Sequence, residues 1–372
     1  MKKIDVKTIT NNIVSFIERI KSKKVLLIII EVAFLALAFY LVAIVNNNNR
    51  REIWEFQGSD IRFEYLHAQR IGAGENIYAD ILNQDLLTNN KYATLLPLYY
   101  YFLHGVVSLT QVDGIPNFEG FMDLHRSILL VAELSTALFT YLIFRREDKH
   151  LLGFLSATFL MFNRWIINNI ASGKQDVIAI AFLMASLYFF TSKKSRDHII
   201  SYFLFGMSLG LKQIGIFLAP IYVMPLLVGR DSIKAFLINM LAFSIPTFVV
   251  GLPIIINSPA AFYYSMLFSF TREPNKLNSD FGYRNMLVLY NVGVEKNNIR
   301  YYLLPRLPLV VFSFLNFILL LARKIPLYLY CLTSLFIFIA FNPVLFSQYF
   351  TWVPPFLFLS ALKAFGPIDT NS

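Results

Sequence analysis

Asp60 is the residue best placed for chemistry in this sequence. It follows Gly58-Ser59, a short polar stretch beyond the first apolar run. A carboxylate fixed beside a water-poor cavity can take a proton from a hydroxyl, as acyl or glycosyl transfer requires. Helix capping is the plainer role, since Ser59 and Asp60 are both good N-cap residues. Glu64 is the competing acid, one turn later on the same helical face. Asp176 closes the link Ala171-Ser172-Gly173-Lys174-Gln175-Asp176 and starts a helix. It too caps by default, and otherwise supplies a second carboxylate that orients an acceptor. Lys212 is more specific: a lysine between Phe205-Gly206-Met207 and Ile214-Gly215-Ile216 is costly in an apolar bundle and calls for a partner or a function. Phosphate would be a fitting partner. Arg164 and Arg284 could hold phosphate bidentately, or serve as ordinary interface cations. Gln175, Gln213, Tyr99, Gln348 and Tyr349 complete the candidate substrate-binding set.

Other chemistries lack their residues. Histidines 67, 104, 125, 150 and 198 are scattered without ligand spacing. There is no Asp-x-Asp, no phosphate-cradling P-loop and no dinucleotide glycine fingerprint, so a soluble nucleotide donor is unsupported. No cofactor is expected; Asp60 and Asp176 could hold a metal, but none is indicated. Cys331 is alone in an apolar run, which removes disulfides and cysteine metal sites. Glu31 and Glu133 are acids inside apolar runs and could mark an ion path.

The elements that must position these groups are apolar. Of 372 residues, 56% are hydrophobic and 15% charged, with a mean hydropathy of +0.56. That composition predicts an all-α polytopic membrane protein. The runs 25–45, 126–144, 151–170, 177–191, 235–256, 301–321, 326–341 and 344–362 read as spans. Residues 199–228 would measure roughly 45 Å as one helix against a hydrocarbon core of about 30 Å. They read instead as a hairpin turning near Leu211-Lys212-Gln213. Basic loops at 145–149, 193–196, 230–234 and 323–324, with seven Lys/Arg in residues 1–24, all face the cytoplasm only if 93–110 does not cross. Pro97 would break a span there. The expectation is ten embedded helices, both termini inside, and outer loops at 46–125 and 257–300 with in-plane helices in the first. Residues 1–24 form a cytoplasmic basic amphipathic segment and 25–372 one membrane domain. The net charge of +10 reflects this topology and implies no nucleic acid.

On these residues the chain resembles the GT-C superfamily of membrane glycosyltransferases, most closely the alpha-mannosyltransferase branch that includes the GPI mannosyltransferase catalytic subunit and its prokaryotic relatives. Asp60 looks like the branch's first-loop aspartate, and Gly74-Glu75-Asn76-Ile77-Tyr78 like its Gly-x-x-Tyr turn. Tyr92-Ala93-Thr94-Leu95-Leu96-Pro97-Leu98 matches a Tyr-x-x-x-x-Pro-Leu segment, and Gly173-Lys174-Gln175-Asp176 an acidic element after a glycine. Leu211-Lys212 before Pro220 matches a hairpin lysine, and Ser347-Gln348-Tyr349-Phe350-Thr351-Trp352 a late signature. The first loop lacks the paired acids of many relatives, and Ile77 stands where proline is common.

The resemblance implies inverting transfer of a hexose, with mannose favoured, from a polyprenyl-phosphate carrier to a hydroxyl of a glycan, glycolipid or protein at the outer membrane face. Asp60 would deprotonate the acceptor. Lys212, with Arg284 or Arg164, would stabilise the departing phosphate, and Tyr99 to Phe102 would line the lipid's path. The resemblance also leaves room for a small membrane subunit. The rival expectation is a lipid or sugar transporter or flippase, which predicts inverted repeats and broken helices at the midplane.

Overall fold

The computed structural model describes residues 24–48, 60–83, 92–192, 194–271, 306–342 and 346–362. Among these the chain is helical, and its only β pairing is the isolated bridge between Val112 and Ile115. In chain order the helices are α1 (Lys24–Asn48), α2 (Asp60–Gly72), α3 (Asp80–Asn83), α4 (Pro97–Leu109), α5 (Phe118–Arg146), α6 (His150–Met161), α7 (Arg164–Ala171), α8 (Asp176–Phe190) and α9 (Ser195–Leu211). After a 3-10 turn at Gln213–Leu218 come α10 (Ala219–Leu227), α11 (Ile233–Thr247), α12 (Leu252–Asn257), α13 (Pro259–Thr271), α14 (Leu307–Leu321) and α15 (Leu327–Phe341). A second 3-10 turn, Ser347–Trp352, leads into α16 (Pro354–Leu359).

One described helix, the 29-residue α5, is by itself long and apolar enough to cross a membrane. Two bent pairs qualify if each is one span: α6 with α7 at 43°, and α11 with the Val249–Asn257 segment at 41°. The bends have local causes. Asn163 interrupts α6 and caps α7, its Oδ1 accepting from the amides of Trp165 at 3.0 Å and Ile166 at 3.4 Å. Pro246, in the last turn of α11, precedes the second bend. The 15-residue helices α8, α14 and α15 measure about 22 Å each, short of a hydrocarbon core of about 30 Å.

One expectation changes. The run 344–362, read as one helix, is instead a 3-10 turn followed by the six-residue α16. Pro354 and Pro355 lack the amides a continuous helix needs, so the chain restarts with proline in the first turn of α16. Within the run 93–110 the helix is the 13-residue α4, which starts at Pro97, so the proline does interrupt the run. The turn expected at Leu211-Lys212-Gln213 lies there: α9 ends at Leu211, Lys212 is extended (φ −154°, ψ 123°), and the 3-10 turn begins at Gln213.

The core is one aliphatic and aromatic cluster. Helix α9 packs most extensively on α8 and α11, α5 on α6 and α8, and α2 on α4. Helix α9 approaches α11 closely because its neighbour-facing residues are small. A Cβ on Gly206 would stand 2.3 Å from the Phe243 carbonyl oxygen, and one on Gly210 would stand 2.6 Å from Leu98 Cδ2. This is the small-xxx-small spacing that lets helix backbones meet in apolar surroundings.

Candidate functional site

Helix α2 presents Asp60, Glu64 and His67 at positions i, i+4 and i+7, a spacing that aligns them along one face. All three line a cavity of about 380 Å³. Lys212 and Gln213 from the α9 break, Arg306 from the start of α14, and Gln348 and Tyr349 from the second 3-10 turn line it too. Ile216, Phe217, Leu309, Phe338 and Phe346 add apolar surface. The lining therefore combines carboxylates, cations and hydrocarbon.

The link 171–175 supplies the partners of the two α2 acids. Gly173 ends α7 in the left-handed region (φ 69°), and the Lys174 amide reaches back to the Asn169 carbonyl at 2.9 Å, a glycine-terminated C-cap. Helix α5 clamps the link, with Arg126 Nε donating to the Ala171 carbonyl at 3.1 Å and His125 Nε2 lying 3.3 Å from the Gly173 oxygen. So placed, Lys174 Nζ pairs with Asp60 Oδ2 at 3.0 Å and Gln175 Nε2 donates to Glu64 Oε1 at 3.4 Å. From α4, the Tyr99 hydroxyl donates to Glu64 Oε2 at 2.6 Å. The two carboxylates differ in environment. The Asp60 side chain is 44% exposed beside its lysine. Glu64 is enclosed except at the cavity, and burial lifts its carboxyl above the usual range, outweighing the opposing pull of Tyr99, Lys174 and Lys212.

Lys212 rests on a buried carboxylate. Asp176 is fully buried at the start of α8. Its Oδ1 accepts from Trp352 Nε1 at 2.8 Å and its Oδ2 stands 3.6 Å from Lys212 Nζ. The α8 carboxylate, held in turn by the indole of the second 3-10 turn, thus fixes the ammonium at the cavity. Gln213 Nε2 donates to the Thr94 carbonyl at 3.1 Å, and the Tyr78 hydroxyl donates to the Leu95 carbonyl at 2.7 Å. The segment before α4 is therefore tied to both the α9 break and the Gly74–Tyr78 turn. Asn169 Nδ2 reaches the Gln348 carbonyl at 3.5 Å and Thr351 Oγ1 at 3.4 Å, joining α7 to the second 3-10 turn.

The cavity thus gathers Asp60, Glu64, Gln175, Lys212, Gln213, Gln348 and Tyr349 from the sequence-derived set. Three described or expected members stand elsewhere. Asp176 lies behind Lys212 and does not line the cavity, because its carboxylate is spent on the lysine and the indole. Tyr99 is fully buried behind Glu64, and Tyr100 lines the cavity in its place. Arg164 is exposed at the start of α7 and does not line the cavity. Arg284 lies outside the described residues. Glu31 pairs with Arg145 at 3.3 Å, and Glu133 is buried within α5.

Sequence reasoning passed over three members. His67 had the i+7 spacing from Asp60 as its signal. Lys174 was seen only as part of a link. Arg306 lies inside the run 301–321, where a lone arginine among apolar residues marks a functional group as strongly as Lys212 did. Among the described residues no group of three or more His, Cys, Asp or Glu side chains could hold a metal ion. No protein-family model and no curated protein matches the chain.

Proposed function

We propose that this protein is a multi-pass membrane glycosyltransferase of the GT-C kind. It would move a hexose, with mannose favoured, from a polyprenyl-phosphate carrier to a hydroxyl acceptor at the outer membrane face, with both termini cytoplasmic. The supporting observation is the mixed lining of one cavity. The Asp60–His67 face offers carboxylates for proton transfer, Lys212 and Arg306 bring positive charge to the same space, and the apolar lining suits a hydrocarbon chain. A phosphate leaving group develops negative charge as the glycosidic bond breaks, and preorganised cations in a dry site stabilise that charge most effectively. The acceptor oxygen loses its proton to an acid of the α2 face and attacks the anomeric carbon. The electron pair of the broken bond departs on the lipid phosphate, beside Lys212 and Arg306.

Radiolabelled polyprenyl-phosphate-mannose supplied to membranes holding the wild type or Lys212→Met tests this reading. The wild type should transfer label to a lipid, glycan or protein fraction, and Lys212→Met should transfer at least tenfold less at equal expression. Wild-type membranes that transfer no more than control membranes, with mannosyl, glucosyl and galactosyl donors alike, refute it. The interrupted helices at Asn163, Lys212 and Phe248 favour the transport reading, since transporters build their sites at such breaks. Flux of the intact labelled carrier across proteoliposomes, without transfer, would establish that alternative.

A further inference from the structure

The geometry points to Glu64, rather than Asp60, as the group that takes the acceptor's proton, with Tyr99 and Gln175 as its positioning residues. This inference rests on the transferase reading above and assigns the base within it. Two acids one helical turn apart line the same cavity, and their partners divide the work. The Asp60 carboxylate already has a cation 3.0 Å away and is open to water. A carboxylate so paired has an oxygen turned to the ammonium rather than to an acceptor hydroxyl. Among the described residues Glu64 has no cation at ion-pair distance, and Lys174 and Lys212 act on it from farther off. It is oriented by two neutral donors, Tyr99 on Oε2 at 2.6 Å and Gln175 on Oε1 at 3.4 Å, and each oxygen keeps a lone pair for an acceptor hydroxyl. Burial strengthens it as a base, because a carboxyl lifted toward neutrality matches a general base's task.

The charged and titratable groups around Glu64 come from every packed element: Asp60 and His67 on α2, Tyr99 and Tyr100 on α4, Lys174 on the link, Lys212 at the α9 break, and Arg306 in the cavity lining. In the step, the acceptor O–H proton moves to Glu64 as the new C–O bond forms. The C–O bond to phosphate breaks with its electron pair on the phosphate oxygen. The proton later leaves Glu64 to water through the cavity. Asp60, held by Lys174, is left to hydrogen-bond the sugar or the acceptor.

The test is the pH profile of transfer in membranes carrying wild type, Glu64→Gln, Asp60→Asn and Tyr99→Phe. Glu64→Gln should lower transfer about 100-fold or more, the typical span of general base catalysis, while Asp60→Asn keeps transfer within about tenfold. Tyr99→Phe deletes a hydrogen bond that favours the ionised carboxylate, so the acid limb should move to higher pH with the plateau retained. That shift keeps the inference testable where Glu64→Gln fails to accumulate. An active wild type with Glu64→Gln close to it, Asp60→Asn inactive, or a Tyr99→Phe limb that stays in place overturns the assignment of the base alone. A wild type inactive with every donor sinks the transferase reading and this inference together.

Discussion

Removing the Lys212 charge should cost more stability than removing the Asp176 charge, although the two form one ion pair. The pair is asymmetric: the Asp176 side chain is fully buried, whereas that of Lys212 keeps 10% exposure at the cavity wall. Lys212→Met strands an anion in the core with only the Trp352 indole, at 2.8 Å, to stabilise it. Breaking a buried pair this way costs about 3–5 kcal/mol, a shift of about 140- to 3,700-fold in the folding equilibrium at about 1.4 kcal/mol per tenfold. Asp176→Asn keeps an acceptor for the indole and leaves an ammonium that cavity water can hydrate. Its cost should be smaller, within about 1.5–3 kcal/mol, the range for a hydrogen bond to a charged group. The 3.6 Å ion pair is no hydrogen bond, and the indole only exchanges a charged acceptor for a neutral one. In the double variant neither charge remains, so it should be more stable than Lys212→Met alone, with a coupling of at least about 2 kcal/mol. Reversible unfolding in mixed detergent micelles, run as a double-mutant cycle, measures all three. A smaller cost for Lys212→Met than for Asp176→Asn, or costs that add within about 0.5 kcal/mol, would refute the view of Asp176 as a buried counterion.

Three further outcomes are expected. Gly206→Ala places a Cβ 2.3 Å from the Phe243 carbonyl oxygen, a backbone atom that cannot rotate away; unfolding should show a loss of about 1–3 kcal/mol, the usual range for an overpacked core. Arg306→Gln should weaken binding of a lipid phosphate, measured by displacement of a fluorescent dodecyl phosphate. Arg164→Ala, exposed and off the cavity, should leave that binding within twofold. Glu64 carries a raised pKa in the folded state, so the native protein binds more protons than the unfolded chain in the interval between the ordinary Glu value and the raised one. Stability from this group is therefore present at low pH and lost as pH rises through that interval. Glu64→Gln should flatten the fall, so the difference in melting temperature between variant and wild type should grow in the variant's favour from pH 4 to pH 8.

The parts legible in the sequence were those encoded locally. The lysine in an apolar hairpin located the α9 break, because a charge in such surroundings needs a backbone that can carry it to a partner or to water. Asp60 and Glu64 could be placed on one face from helical spacing alone. Partnership was not legible. Asp176 and Trp352 lie 176 residues apart, and nothing local says that this carboxylate is consumed by an indole and an ammonium. The same holds for Lys174 and Asp60, 114 residues apart. Arg306 was hidden by the length of its apolar run, which averages away a single cation. The run 344–362 misled for the converse reason: its hydropathy is that of a span, but two adjacent prolines decide the local backbone.

The cavity's polar groups concentrate where helices are interrupted, and the reason is physical. A continuous helix in apolar surroundings satisfies its own backbone and offers a site only side chains on one face, as α2 does with Asp60, Glu64 and His67. An interruption turns the backbone as well. At Lys212 the extended residue carries its ammonium sideways from the α9 axis, toward the start of α8 rather than along the packed face with α11. At Gly173 the left-handed turn throws Lys174 and Gln175 back over α2. At Ser347–Trp352 the 3-10 turn brings Gln348 to the cavity while Trp352 reaches Asp176. Each interruption needs compensating hydrogen bonds, and these are present: Lys212 N to the Ser208 carbonyl at 2.9 Å, Lys174 N to the Asn169 carbonyl at 2.9 Å, and Thr351 Oγ1 to the Gln348 carbonyl at 2.6 Å. Three compensated breaks converging on one carboxylate-faced cavity are costly to maintain for a scaffold alone. That cost is the physical reason to look for the protein's chemistry at this cavity rather than at its long apolar faces.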